Sequence, residues 1–210
     1  MKVEIWSDVV CPWCYIGKRR LEHALTEFEH ADQVAVSWRS FQLHPEAERG
    51  VAVPTIGYLT QRFGPQAGEM TARVARIASD EGLDFDFTKA LTVNTIDAHR
   101  LIHLAADQGV ADAAKERLLH AHFTEGANLA DPDTLVALLK EAGVDPDRTR
   151  AVLDGDDFAD AVQADIDQAR AFGITGVPFF VIDRKYGISG AQPAETFRQA
   201  LATAFKDEAS

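Results

Sequence analysis

Strand-forming sequence is confined to the two ends of this 210-residue chain, and that separation limits the folds open to it. At the start, "KVEIW" (2–6) alternates Val3 and Ile5 with polar neighbours, and "QVAVSWRSFQL" (33–43) is a second run of β-formers. Between them, Leu21, Ala24, Leu25 and Phe28 recur at three and four, the period of one helix face. From about 55 to 172 the pattern is almost wholly helical, in segments such as "TIDAHRLIHLAADQG" and "DPDTLVALLKEAGV" that open on Thr or Asp and close near Gly. Strand pattern returns only at "PFFVID" (178–183) and "YGISG" (186–190), before a last helix entered through Pro193. A strand–helix–strand unit and a strand–strand–helix unit separated by helices predict an α/β, thioredoxin-like fold. A large all-helical domain is then inserted after the second strand. The expected boundaries are 1–44 and 160–210 for the discontinuous thioredoxin-like domain, and 45–159 for the insertion.

Both cysteines of the chain fall in "SDVVCPWCYIGKRRLE", where the first strand turns into the first helix. With Cys11 at the N-cap and Pro12 in the first turn, where a missing N–H costs nothing, Cys14 comes one turn later on the same side. Cα atoms so placed are about 5–6 Å apart, within disulfide range. The free N–H groups and the helix dipole favour an anion at Cys11, so its thiol is expected below the free value of about 8.5 and exposed as a nucleophile. Cys14, deeper, is expected to stay protonated until it resolves a mixed disulfide. Two other readings attach to the same spacing. The pair could be half of a zinc site, with ligands from His99, His103, His120 and His122, or it could be two inert buried thiols. Pro12 and the strand-to-helix context favour redox chemistry, with no metal.

Charge and hydropathy remove other classes. A formal net charge of −12 opposes binding to nucleic acid, which demands clustered Lys and Arg. No apolar run approaches the roughly 18 residues of a membrane span, and the N-terminus lacks a signal-peptide pattern, so a cytoplasmic protein is expected. In that compartment a lone cysteine pair is expected to be catalytic or redox-sensing.

"DVVCPWCYIGKRRLE", "WRSFQLHP", "NTIDAHRLIHLA", "GITGVPFFVID" and "YGISGAQP" together resemble the FrnE-like branch of DsbA-family thioredoxin-fold oxidoreductases. More distantly, they are similar to 2-hydroxychromene-2-carboxylate isomerases and kappa-class glutathione transferases. The resemblance implies a thiol–disulfide oxidoreductase with Cys11 and Cys14 catalytic. It also implies a cis proline facing the active cysteine at Pro178, with the backbone of Val177 free to pair with an extended substrate. The isomerases and kappa-class transferases usually carry serine at the position of Cys11, which makes glutathione-dependent isomerisation or transfer the second reading. A redox-sensing or chaperone-like binding module is the third.

Under these readings Pro12, Trp13, Val177 and Pro178 contact substrate, Trp13 as an exposed apolar lip. The partners expected are a disulfide-containing peptide or protein, or a small thiol, together with a redox partner. No cofactor is expected to be tightly bound. Glutathione is a possible co-substrate, with "SGAQP" (189–193) opening a helix whose N–H groups suit a carboxylate. His99 and Arg100 read first as anchors of the insertion, and Asp8 either modulates the thiols or caps backbone groups.

Overall fold

The computed structural model describes residues 1–208. Strand β1 (Lys2–Ser7) lies inside a four-stranded sheet of order β2-β1-β5-β6. Strand β2 (Ala35–Ser40) runs parallel to β1, with Ile5 opposite Trp38, while β5 (Phe179–Ile182) runs antiparallel on its other side, with Ile5 opposite Phe180. Strand β6 (Tyr186–Ser189) completes the edge. The parallel step requires a crossover, and helix α1 (Pro12–Thr26) supplies it. Five consecutive residues of β1, Val3 to Ser7, are buried, as a central strand covered on both faces requires. One of them is Glu4. Its carboxylate is satisfied by Nε of Arg39 at 3.0 Å and Nε of Arg184 at 3.2 Å, which hold it below the ordinary carboxylate range against the opposing effect of burial.

Between Ser40 and Phe179 the chain leaves this sheet. Helices α2 (Thr55–Phe63), α3 (Ala67–Asp80), α4 (Ile96–Asp107), α5 (Ala111–His120), α6 (Pro132–Glu141), α7 (Pro146–Asp154) and α8 (Ala159–Ala171) follow the apolar periodicity. Asp131 and Asp145 cap α6 and α7 through side-chain acceptors. The block is not purely helical, however. Residues β3 (Ala52–Pro54) and β4 (Leu91–Val93) pair antiparallel as a separate ribbon. "LTV" is too short to show a period of two, and its partner lies about 40 residues away, so pairing alone makes it a strand. Residues Ala121–Glu125 continue α5 as a π turn, which carries His122 and Phe123 inward.

Helix α9 (Ala194–Glu208) packs on α1, and α8 packs on β2. One apolar core runs without interruption from Ile5 and Phe180 of the sheet through Leu101 of α4 to Leu118 and Leu139 of the inserted helices. A second, aromatic cluster joins Tyr15 and Ile16 of α1 to Phe85 and Phe123, whose rings stack at 4.5 Å. Both faces of α1 are thereby fixed.

Candidate active site

Cys11 sits as the N-cap of α1, extended at φ −93° and ψ 113°, and Pro12 takes the first helical position. The backbone N–H of Cys14 donates to the Cys11 carbonyl at 3.0 Å, the first bond of the helix, so the two thiols lie one turn apart. Both are free thiols. The loop before β5 crosses above them. Its Val177–Pro178 peptide is cis, and the Cys11 thiol donates to the Val177 carbonyl at 3.5 Å. Pro178 approaches α1 closely at Gly17. A Cβ there would stand 3.0 Å from Pro178 Cγ and 3.2 Å from Phe180 Cζ, so this glycine admits the loop. Gly17 was unmarked in the sequence, because its need comes from a segment some 160 residues away. At Gly176 a Cβ would meet nothing.

Cys11 was expected to be exposed, with a depressed pKa. Instead it is 3% exposed and Cys14 1%, both behind the half-open Trp13 at 38%. The two thiols titrate as a pair. Hydrogen bonding with Cys14, then burial, pushes the Cys11 thiol well up. For Cys14, burial acts upward but is outweighed by the hydrogen bond from Cys11 and by the charge of Lys115, so its thiol is lowered. Lys115 is the reason that sequence reasoning could not supply. It comes from α5, is 1% exposed, lies over the Trp38 ring at 5.4 Å, and acts on the thiols through its charge. Burial lowers its own pKa, against the opposing charges of Cys14 and Asp8. A lysine in "ADAAKERLLH" reads as a solvated helix residue until the tertiary fold turns it inward.

Asp8, fully buried, takes up both roles considered for it. Its carboxylate accepts from the N–H groups of Val9 and Leu43, each at 2.8 Å, and pairs with His99 Nε2 at 3.1 Å. Burial opposes its ionisation, yet these bonds to His99 and Leu43 hold it below the ordinary carboxylate range. Its charge also raises Cys11. His99 thus anchors the insertion to the turn that carries the thiols. Arg100 does not reach the site. Nε donates to the Asp157 carbonyl at 2.8 Å and Nη1 to Asp97 at 2.9 Å, while Nη2 bonds the carbonyls of Val152 and Gly155.

The four histidines weighed as zinc ligands each meet different surroundings in the structure. His99 lies on Asp8, His103 on Asp165 at 3.0 Å and His120 on Glu125 at 3.0 Å, while His122 is buried with its Nδ1 unpartnered. Among the described residues no cluster of three or more His, Cys, Asp or Glu side chains is arranged to hold a metal. No described helix is long and apolar enough to cross a membrane.

A four-stranded mixed sheet, a helix entered through C-x-x-C and a cis-proline loop over the first thiol define a thioredoxin-like protein. Comparison with known proteins makes the assignment narrower. The model of the DsbA-like thioredoxin domain matches residues 2–202, and the chain belongs to that family. A probable DsbA oxidoreductase from Streptomyces coelicolor is 43% identical, with a TM-score of 0.94 over 98% of this chain and 90% of that one. The uncharacterized protein YwbO of Bacillus subtilis is 26% identical over 204 residues, 95% of this chain and 94% of its own. The cytosolic disulfide reductase DsbM from Pseudomonas aeruginosa, solved with glutathione, shares the fold at 19% identity. Its TM-score is 0.68 over 98% of this chain and 100% of that one.

Proposed function

We propose that the protein is a thiol–disulfide oxidoreductase in which Cys11 attacks the substrate and Cys14 resolves the intermediate. The observation that carries this reading is the position of Cys11. Cys11 lines an apolar cavity with its sulfur on the Val177 carbonyl, while Cys14 is absent from that lining and feels the charge of Lys115. The Cys11 proton passes to the Cys14 sulfur, and the Cys11 thiolate displaces one sulfur of a substrate disulfide. A mixed disulfide forms and one half leaves as a thiol. Cys14 gives that proton to the first leaving sulfur; its thiolate, favoured by Lys115, then attacks the Cys11 sulfur, and the second half leaves as a thiolate that takes its proton from solvent, with Cys11–Cys14 oxidised. Two electrons have moved from enzyme to substrate, and the reverse sequence oxidises a dithiol. Trp13 and Pro12 flank the sulfur, and the backbone of Val177 and the ring of Pro178 border the site that receives substrate. The chemistry requires no bound cofactor, and glutathione is one thiol that it admits as a co-substrate.

The test is single-turnover reduction of a peptide disulfide. Wild type should release thiol in step with loss of its own two. Cys11→Ser should release none, and Cys14→Ala should accumulate an adduct at Cys11, visible on a non-reducing gel, that dithiothreitol removes. Turnover retained by Cys11→Ser, or absence of any adduct in Cys14→Ala, refutes the assignment.

A further inference from the structure

The cavity beside Cys11 has about 430 Å³, within the range of sites that take small molecules. Its composition differs sharply from the rest of this acidic chain. Leu59, Val74, Phe87 and Phe123 give it apolar walls, and Trp13, Phe63 and Met70, at 38%, 41% and 45% exposure, form an apolar rim. No Asp or Glu lines it, although the chain carries 33 of them. Two polar features stand out in that lining. Deep in it, the imidazole of His122 forms part of the wall, 2% exposed with Nδ1 itself buried, and burial lowers its pKa to about 4. At the mouth, Arg62 donates to the Tyr58 hydroxyl at 2.9 Å, which in turn bonds His44 Nδ1 at 3.1 Å. Arg62 makes no ion pair among the described residues; its guanidinium lies over the Phe63 ring at 5.6 Å.

We propose that this cavity binds the thiol half of a low-molecular-weight disulfide that has an apolar body and a terminal anion. The inference rests on the exchange chemistry proposed above and narrows its substrate. The sulfur meets Cys11, the body replaces water against the apolar walls, and the anion pairs with Arg62. An apolar surface with one cation that makes no ion pair among the described residues, and with no carboxylate, in a chain of net charge −12, is selective for an anionic ligand over a cationic one.

Three symmetric disulfides test it, those of N-(3-mercaptopropanoyl)phenylalanine, of its carboxamide, and of N-(3-mercaptopropanoyl)glycine. They share the same reacting thiol, so their intrinsic exchange rates are matched and differences report binding. With the reduced protein, the phenylalanine acid should react about 30-fold faster than the glycine acid, since only it fills the apolar walls. It should react about 5-fold faster than its carboxamide, since only it carries the anion. Arg62→Gln should erase the second ratio and retain the first. Equal rates for all three compounds, or an Arg62→Gln protein that keeps the preference for the acid, overturn the inference while leaving thiol exchange intact. Failure to exchange with any of the three, or with a peptide disulfide, would instead remove the enzymatic reading on which it rests.

Discussion

Lys115 shows how one side chain sets the chemistry of another without touching the substrate. Its ammonium is 1% exposed, and its field acts on Cys14 in surroundings that screen it weakly. Replacing it by methionine keeps the stem and removes the charge. Lys115→Met should therefore raise the first thiol ionisation of the reduced pair. Thiolate absorbance near 240 nm, followed against pH, measures the shift. An unchanged titration would show that Lys115 only fills space. Because exchange depends on the thiolate fraction, resolution by Cys14 should slow at neutral pH and recover as pH rises.

At the scale of elements, the helical insertion is fastened to the sheet through α4 and α8. His99 and His103, four residues apart and so on one face of α4, each meet a buried carboxylate. Asp165 of α8 is the busier of the two acceptors. It takes the Ser40 N–H at 2.9 Å, Arg39 Nη1 at 3.0 Å and His103 Nε2 at 3.0 Å, while the carbonyl of the same residue accepts from Trp6 Nε1 at 2.9 Å. One residue of α8 thus closes the end of β2, holds β1 and docks α4. Truncation leaves the buried Ser40 N–H without its acceptor and removes one of the partners of Arg39 and of His103. Asp165→Ala should cost about 3–5 kcal/mol in guanidinium denaturation, whereas Lys140→Ala on the exposed side of α6 should stay within about 0.5 kcal/mol. A loss below about 1 kcal/mol for Asp165→Ala would mean that the clamp contributes little.

For the molecule as a whole, these buried acids make stability depend on pH. Asp8 and Asp165 are both held below their ordinary carboxylate range in the folded state. For each, burial acts upward and is outweighed by hydrogen bonds, to His99 and Leu43 in one case and to His103 and Ser40 in the other. A folded-state pKa below the unfolded value means that the unfolded chain binds more protons. Their contribution is fully present above the unfolded value near 3.8 and is lost as pH falls through the folded value. Denaturation midpoints measured from pH 7 down to pH 3 should fall most steeply below about pH 4. Asp8→Asn should be less stable at pH 7 yet show a shallower acid limb than wild type. A wild-type midpoint flat down to pH 3 would contradict the linkage.

The sequence by itself determined the order of the elements and the position of the thiols, because those features are local. The N-cap, the proline at the first helical position and the one-turn spacing of Cys11 and Cys14 are written in four consecutive residues, and periods of 2 and 3.6 separate the strands from the helices. The cis-proline position was legible through resemblance rather than through any local rule. Only the tertiary structure decided the state of the thiols and the shape of the site. Lys115 and Gly17 each look ordinary in their own segments, and their roles arise from residues 100 or more positions away, Cys14 for the first and Pro178 for the second. The β3–β4 ribbon escaped notice for the same reason, since a three-residue strand is defined by its partner. A pKa or a cavity is set by everything within a few ångströms in space, and local sequence pattern reports only what lies within a turn or two along the chain.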